Sequence, residues 1–263
     1  MELFSYGYMV RALIVGVVVA LIVPLMGMVV VNKNLSMVGD ALSHVSLAGI
    51  ILGFLLGLNM TVGALLTCVV AALFMEFVRR KFPGYGELST AIVMSTGIGL
   101  ASVLSGFVTR NVNFESLLFG SIIAIPDDEF YLILVVGVVV GALFLLFYRS
   151  LCHVAFDETS ARLAGINIGF FNVLFMVLVA VTIAVSARTV GVLIISSLMV
   201  IPVACAMRFK LGYGKTVALA ALFGIIFTLT GLVLSFYFSL KPGGTIVLLG
   251  VSTLVVLLFI KGK

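Results

Sequence analysis

Apolar residues run along this chain in long blocks, broken by short polar stretches near 33, 81, 110–129, 149–167, 208–215 and 239–243. By hydropathy the blocks fall near 9–31, 36–57, 60–78, 88–108, 130–148, 168–186, 189–207, 216–238 and 244–260. Most reach the roughly 20 residues that a helix needs to cross a bilayer. Inside lipid only helices and closed barrels satisfy their own backbone groups, so blocks of this length predict helices. The expected fold is all-α, a polytopic membrane bundle of eight to nine transmembrane helices forming a single domain over 1–263. The stretch Asn113 to Ile125 is apolar but too short to cross, and predicts a re-entrant or surface helix. The first block, from Met9 to Val31, is too long for a signal-peptide core and follows Glu2 rather than basic residues, so it is expected to be a retained span.

Composition sharpens this picture. The residues are 63% apolar and 10% charged, with a mean hydropathy of +1.38, outside the range of water-soluble domains. The longest polar interruptions, about Thr109 to Glu129 and Ser150 to Asn167, leave no room for a soluble catalytic domain. The net charge of +5 is explained by where the cations sit. If Arg79, Arg80 and Lys81 face the cytoplasm, alternation brings Lys33, Arg149, Arg162, Arg208, Lys210, Lys215, Lys261 and Lys263 to the same side. Only Arg11, Arg110, Arg188 and Lys241 fall opposite, a split of eleven to four. That is the positive-inside bias, with the N-terminus outside and the C-terminus inside, and it removes any need for a nucleic-acid partner. The cysteines, Cys68, Cys152 and Cys205, are scattered with no metal-ligand spacing.

Ionisable groups within the blocks are few: Asp40 and His44, with Glu76 near the end of the third. A charge in a spanning segment costs a few kcal/mol or more, so it ordinarily faces a cavity, a partner or an ion. Asp40 and His44 are four apart, which stacks a carboxylate and an imidazole on one helix face. A borderline divalent ion accepts both donor types. The alternative is a hydrogen-bonded pair that only ties helices together; either way two ligands make at most half a site. If the second span starts near Ser36 on the cytoplasmic side, Asp40 lies only a turn in, unless a non-helical stretch at 32–37 lets the helix begin deeper. In the same span Gly49, Gly53 and Gly57 repeat every four residues, a pattern for close helix packing.

The break His153 to Ile166 reads HVAFDETSARLAGI and predicts a short amphipathic helix at about 154–166, capped by Asp157 or Thr159. It is either a plain connection or a docking helix for a cytosolic partner. On the other side, Asp127, Asp128 and Glu129 follow Pro126 and read as solvated acids at a helix start. An acidic funnel for an arriving cation is the sharper alternative. Gly214, Lys215 and Thr216 imitate the end of a phosphate-binding loop, but Phe209 occupies the position of its first glycine, so no nucleotide site is expected.

Four stretches together resemble one family. GDALSHVSLAGIILGFLLG, Gly39 to Gly57, is similar to the signature of the ABC-3 metal permeases, the membrane subunits of zinc and manganese ATP-binding-cassette importers. AFDETSARLAGI, Ala155 to Ile166, resembles their cytoplasmic coupling helix. GVLIISSLMVIPVACAMRF, Gly191 to Phe209, resembles their late pore helix, and KPGGTIVLLG, Lys241 to Gly250, their last outer turn and final span. The matches are collinear and cover nearly the whole chain. The resemblance implies a type II importer permease of the bacterial plasma membrane, working as a homodimer with two cytosolic ATPase subunits and an extracellular or periplasmic metal-binding protein. It implies that Asp40 and His44 line the metal path and that Phe156, Asp157, Glu158, Ala161, Arg162, Leu163 and Gly165 meet the ATPase.

Many members carry an Asp in the outer turn before the last span, where this chain has Ser239, which weakens that turn as a source of a ligand. The run HVSLAG is closer to the zinc-type permeases than to the manganese type, with alanine, valine and proline there, and imidazole suits zinc. Zinc is therefore expected ahead of manganese as the transported ion, with no permanently bound cofactor. The chief alternative function is a secondary metal transporter driven by an ion gradient without an ATPase. Such proteins often show inverted repeats and several intramembrane carboxylates, which are not visible here.

Overall fold

The computed structural model describes residues 7–82, 84–108, 114–120, 125–238 and 240–260. Helices account for almost all of them, and no strand occurs among the described residues. In chain order the helices are α1 (Gly7–Asn32), α2 (Val38–Leu55), α3 (Met60–Lys81), α4 (Gly86–Ser105), α5 (Phe114–Phe119), α6 (Asp127–Leu146), α7 (Tyr148–Phe156), α8 (Glu158–Leu163), α9 (Ile168–Val190), α10 (Val192–Met207), α11 (Tyr213–Phe238) and α12 (Pro242–Ile260).

Eight of these helices are long and apolar enough to cross a membrane, and α10 is shorter. Its 16 residues span roughly 24 Å. It nevertheless runs the length of its neighbour α12. Ile194 meets Gly243 at one end, and at the other Arg208 donates to the Leu258 carbonyl at 3.3 Å. Among the described residues α10 thus extends alongside α12 from one end to the other, as a ninth passage would. A single residue, Gly191, joins it to α9. The φ of +104° there suits glycine, and a Cβ would press on the backbone of Phe119 and Gly120 at the end of α5. The short apolar stretch expected after Asn113 is this α5, tucked against the turn.

The core forms where α1, α2, α9 and α10 meet, around Met26, Leu42, Ile183, Ile195 and Met199, all essentially inaccessible. Small residues let backbones approach, as packing in lipid favours. Gly49 and Gly53 lie against Gly63 of α3, where a Cβ on Gly49 would collide with Thr67 Oγ1. Gly57 departs from the expected packing triplet. It lies beyond the end of α2 at φ +70° with nothing within contact of a Cβ, so it terminates the helix rather than packing it. The break between α6 and α9 also departs from expectation. It holds two helices, because Asp157 leaves helical geometry and its side chain accepts from Thr159 N at 2.8 Å, capping α8 separately from α7.

Candidate functional site

The chain leaves α1 at Asn32 and turns through Lys33–Met37, with Asn34 left-handed at φ +55°, before α2 begins at Val38. How deep that start lies is read from α3. Cys68 Sγ donates to the Leu42 carbonyl at 3.4 Å. Cys68 is the ninth residue of α3, so Leu42 stands about 12 Å from the Met60 end and about 20 Å from the Lys81 end. The first turn of α2 is therefore deep in the bundle. Of the two placements open from sequence, the non-helical approach holds.

Successive residues of a helix turn by about 100°, which fixes the faces of α2. Gly39 packs on α10, where a Cβ would come within van der Waals contact of Ser196 and Met199. Leu42, Gly49 and Gly53 face α3, and Val45 faces α4 across Gly97. Asp40 and His44 occupy the remaining face, opposite α3 and between α4 and α10. Their side chains keep 28% and 20% of their exposure, neither sealed nor fully open. His44 Nε2 lies 3.9 Å from Asp40 Oδ1. That is too long for a hydrogen bond. Two metal–ligand bonds of roughly 2.0–2.2 Å meeting at a tetrahedral angle set their donor atoms about 3.3–3.6 Å apart, so a closure of a few tenths of an ångström would let both atoms share one ion. Among the described residues no group of three or more His, Cys, Asp or Glu side chains is placed to hold a metal ion. The pair offers part of a coordination sphere.

Below Asp40, a cavity of about 460 Å³ lies between the α1–α2 turn and α4, lined by Asn34, Ser36, Met37, Glu87, Thr90 and Met94. Asn34, Leu35, Glu87 and Ala91 also line a larger polar cavity of about 1130 Å³ bounded by α3, α8 and α9. The two cavities thus meet at Asn34, Leu35, Glu87 and Ala91, forming a vestibule at the basic end of the bundle, beside the turn that leads into the helix of Asp40.

The α7–α8 segment borders this vestibule. Phe156, Asp157, Arg162, Leu163 and Gly165 are exposed, and Phe156 stacks edge-on with Tyr213. Ala161 faces inward. Glu158 reaches back into the bundle. Its Oε1 accepts from Lys33 Nζ at 2.9 Å and from Asn172 Nδ2 at 3.1 Å, and Lys33 also donates to Asn172 Oδ1 at 2.8 Å. Burial pushes the Lys33 ammonium below its ordinary pKa, and the bond to Glu158 returns only part of the loss. Burial also acts against the Glu158 carboxylate, but the bonds from Lys33 and Asn172 outweigh it and hold the group below its usual value. The two ends answer differently because Lys33 has 6% of its side chain exposed and Glu158 has 47%.

The three acids of α6 do form a helix start, but Glu129 is not solvated. It is 4% exposed, paired with Arg188 of α9, and accepts from Thr61 Oγ1 at 2.9 Å. Asp127 pairs with Arg11, and Asp128 accepts from Asn59 at 2.9 Å. Lys33, Asn172 and the Glu129–Arg188 pair were not singled out from the sequence. Each sits at a helix end, where a charge reads as solvated. Ser239, Arg110, Lys261 and Lys263 lie outside the described residues.

Among the described residues, a strand-free bundle with eight helices long and apolar enough to cross a membrane has the architecture of a polytopic membrane protein. The chain belongs to the ABC 3 transport family, whose model matches residues 5–261. A protein of Treponema pallidum (strain Nichols) named "Probable metal transport system membrane protein" is 32% identical over 97% of this chain and 96% of its own. A manganese transport system membrane protein of Listeria innocua is 28% identical over 94% of this chain and 88% of its own. The solved structure described as PsaBC from Streptococcus pneumoniae in complex with Fab superposes with a TM-score of 0.87 at 27% identity, covering 98% of this chain and 93% of that one.

Proposed function

We propose that this chain is the permease of an ATP-driven importer for a divalent transition metal, and that Asp40 and His44 are the ligands it contributes to the ion's path. The observation that carries this reading is the partly exposed carboxylate–imidazole pair, one turn apart, on a helix that starts deep in the bundle. A carboxylate there offsets the ion's charge where lipid gives no solvation, and an imidazole replaces a lost water. Because the pair is incomplete, a second copy of the chain packed over the α2–α4–α10 face supplies further ligands. A metal-binding protein delivers the ion at the outer ends of the helices. ATPase subunits, separate chains, act on α7–α8 from the cytoplasm of a bacterial plasma membrane.

The sequence argument for zinc rests on imidazole and on the HVSLAG context. Relatives bear the names manganese and metal, which moves our proposal to manganese, with zinc second. The test is uptake of radiolabelled manganese and zinc into proteoliposomes carrying permease, ATPase and binding protein, with each ion competing against the other. Asp40→Asn and His44→Gln are expected to lower ATP-dependent uptake by at least about tenfold with subunit assembly unchanged. Full uptake by both variants, or uptake by the chain alone without ATP, overturns the proposal; the latter favours a gradient-driven transporter.

A further inference from the structure

We propose that the Lys33–Glu158 ion pair, seated on Asn172, is the link by which a displacement of α7–α8 reaches the start of α2, making Lys33 and Glu158 positioning residues for Asp40. This rests on the transport reading above. It adds a specific connection between the segment expected to meet the ATPase and the helix that holds the ion's ligands.

On the α2 side the connection is stiff. Lys33 stands seven positions before Asp40. The intervening turn is closed by backbone bonds from Asn34 N to Val31 O at 3.0 Å, Leu35 N to Val30 O at 2.9 Å and Val38 N to Leu35 O at 2.9 Å. Leu35 is buried beneath it. A push on the Lys33 ammonium therefore moves the turn and the first residues of α2 as one piece. On the α8 side Leu163 is 86% exposed and only Ala161 is buried. Glu158, the first residue of α8, is its polar anchor to the bundle.

The pair also resists letting go. With 6% of its side chain exposed, the Lys33 ammonium has little water to fall back on, and losing an acceptor from a buried charge is costly. Of the two other carboxylates on the vestibule wall, Glu76 is already taken by Arg79 at 2.8 Å and Arg80 at 3.0 Å, and Glu87 belongs to the first turn of α4. When α8 moves, keeping the ion pair and carrying Lys33 along is the lower-energy path. A movement imposed on α7–α8 then alters the spacing of Asp40 from the α4 and α10 walls.

The experiment uses the whole transporter in proteoliposomes: wild type, Lys33→Met, Glu158→Gln and the double variant. Manganese imported and ATP hydrolysed are both measured, with co-purification of the ATPase as the assembly control. Each single variant is expected to lower the metal moved per ATP by roughly 5- to 150-fold, the range of ordinary coupling free energies. The double variant should be no worse than the worse single, because both changes break one link. Unchanged metal per ATP in the singles, a parallel fall of both rates that leaves the ratio intact, or multiplied losses in the double each overturn the proposal while wild-type transport stands. A wild-type complex that hydrolyses ATP without importing either metal sinks the transport reading and this inference with it.

Discussion

At the first turn of α6 the Glu129 carboxylate is removed from water but not left alone: Arg188 pairs with it and the Thr61 hydroxyl donates to it. Removing one partner of such a buried pair strands the other. Arg188→Met is expected to destabilise the bundle by about 3–5 kcal/mol, and Glu129→Gln added to it to recover most of the loss. Thermal unfolding of the detergent-solubilised single and double variants measures this; two losses that simply add would show the pair to be uncoupled. The same residue marks a limit of sequence reading. Glu129 follows Asp127 and Asp128, which are 72% exposed in the first case and bonded to a surface Asn in the second, and nothing local separates it from them. Its burial is decided by α9. Asp40 was legible for the opposite reason. A lone acid inside an apolar block is anomalous wherever its neighbours turn out to lie, and the i, i+4 imidazole added chemistry that spacing alone defines.

Among the elements, α2 shows how a repeat can be both right and misleading. Gly49 and Gly53 do admit α3, but the pattern cannot tell where the helix stops, and Gly57 has already left it. The two kinds of glycine predict different penalties. Gly49→Leu drives side-chain atoms into the Gly63 carbonyl and the Ala64 Cα, backbone that cannot give way, and should cost about 3 kcal/mol, the upper end for overpacking. Gly57→Ala meets open space and pays only for a left-handed φ, roughly 1–2 kcal/mol. Melting temperatures of the two variants in one detergent decide the matter, and a larger loss at Gly57 would mean that α2 continues through it. The α7–α8 break was half-visible in the same way. The sequence offers Asp157 or Thr159 as the cap of one helix, whereas the Asp157 cap, with Phe156 ending the previous turn, divides the segment in two.

The molecule as a whole has two chemically different ends. Contacts bring Lys33, Arg80, Asn172, Glu158 and Tyr213 to one of them and Arg11, Asp127, Glu129 and Arg188 to the other. The charge bias read from sequence requires an odd number of passages, and the decision falls on α10, the helix too short to qualify on length. Were it not to cross, every loop after Gly191 would change sides, and Lys210 and Lys215 would lie outside. Its run beside α12 from Ile194 to Arg208 argues that it does cross. The prediction uses two exposed positions at opposite ends of α11, in a background where Cys68, Cys152 and Cys205 are replaced. On intact cells a membrane-impermeant maleimide should label Lys241→Cys and leave Lys215→Cys unlabelled until the membrane is opened. The reverse pattern would turn the vestibule beside Lys33 away from the cytoplasm, where no ATPase could reach α8, and would overturn the ATP-driven import proposed above.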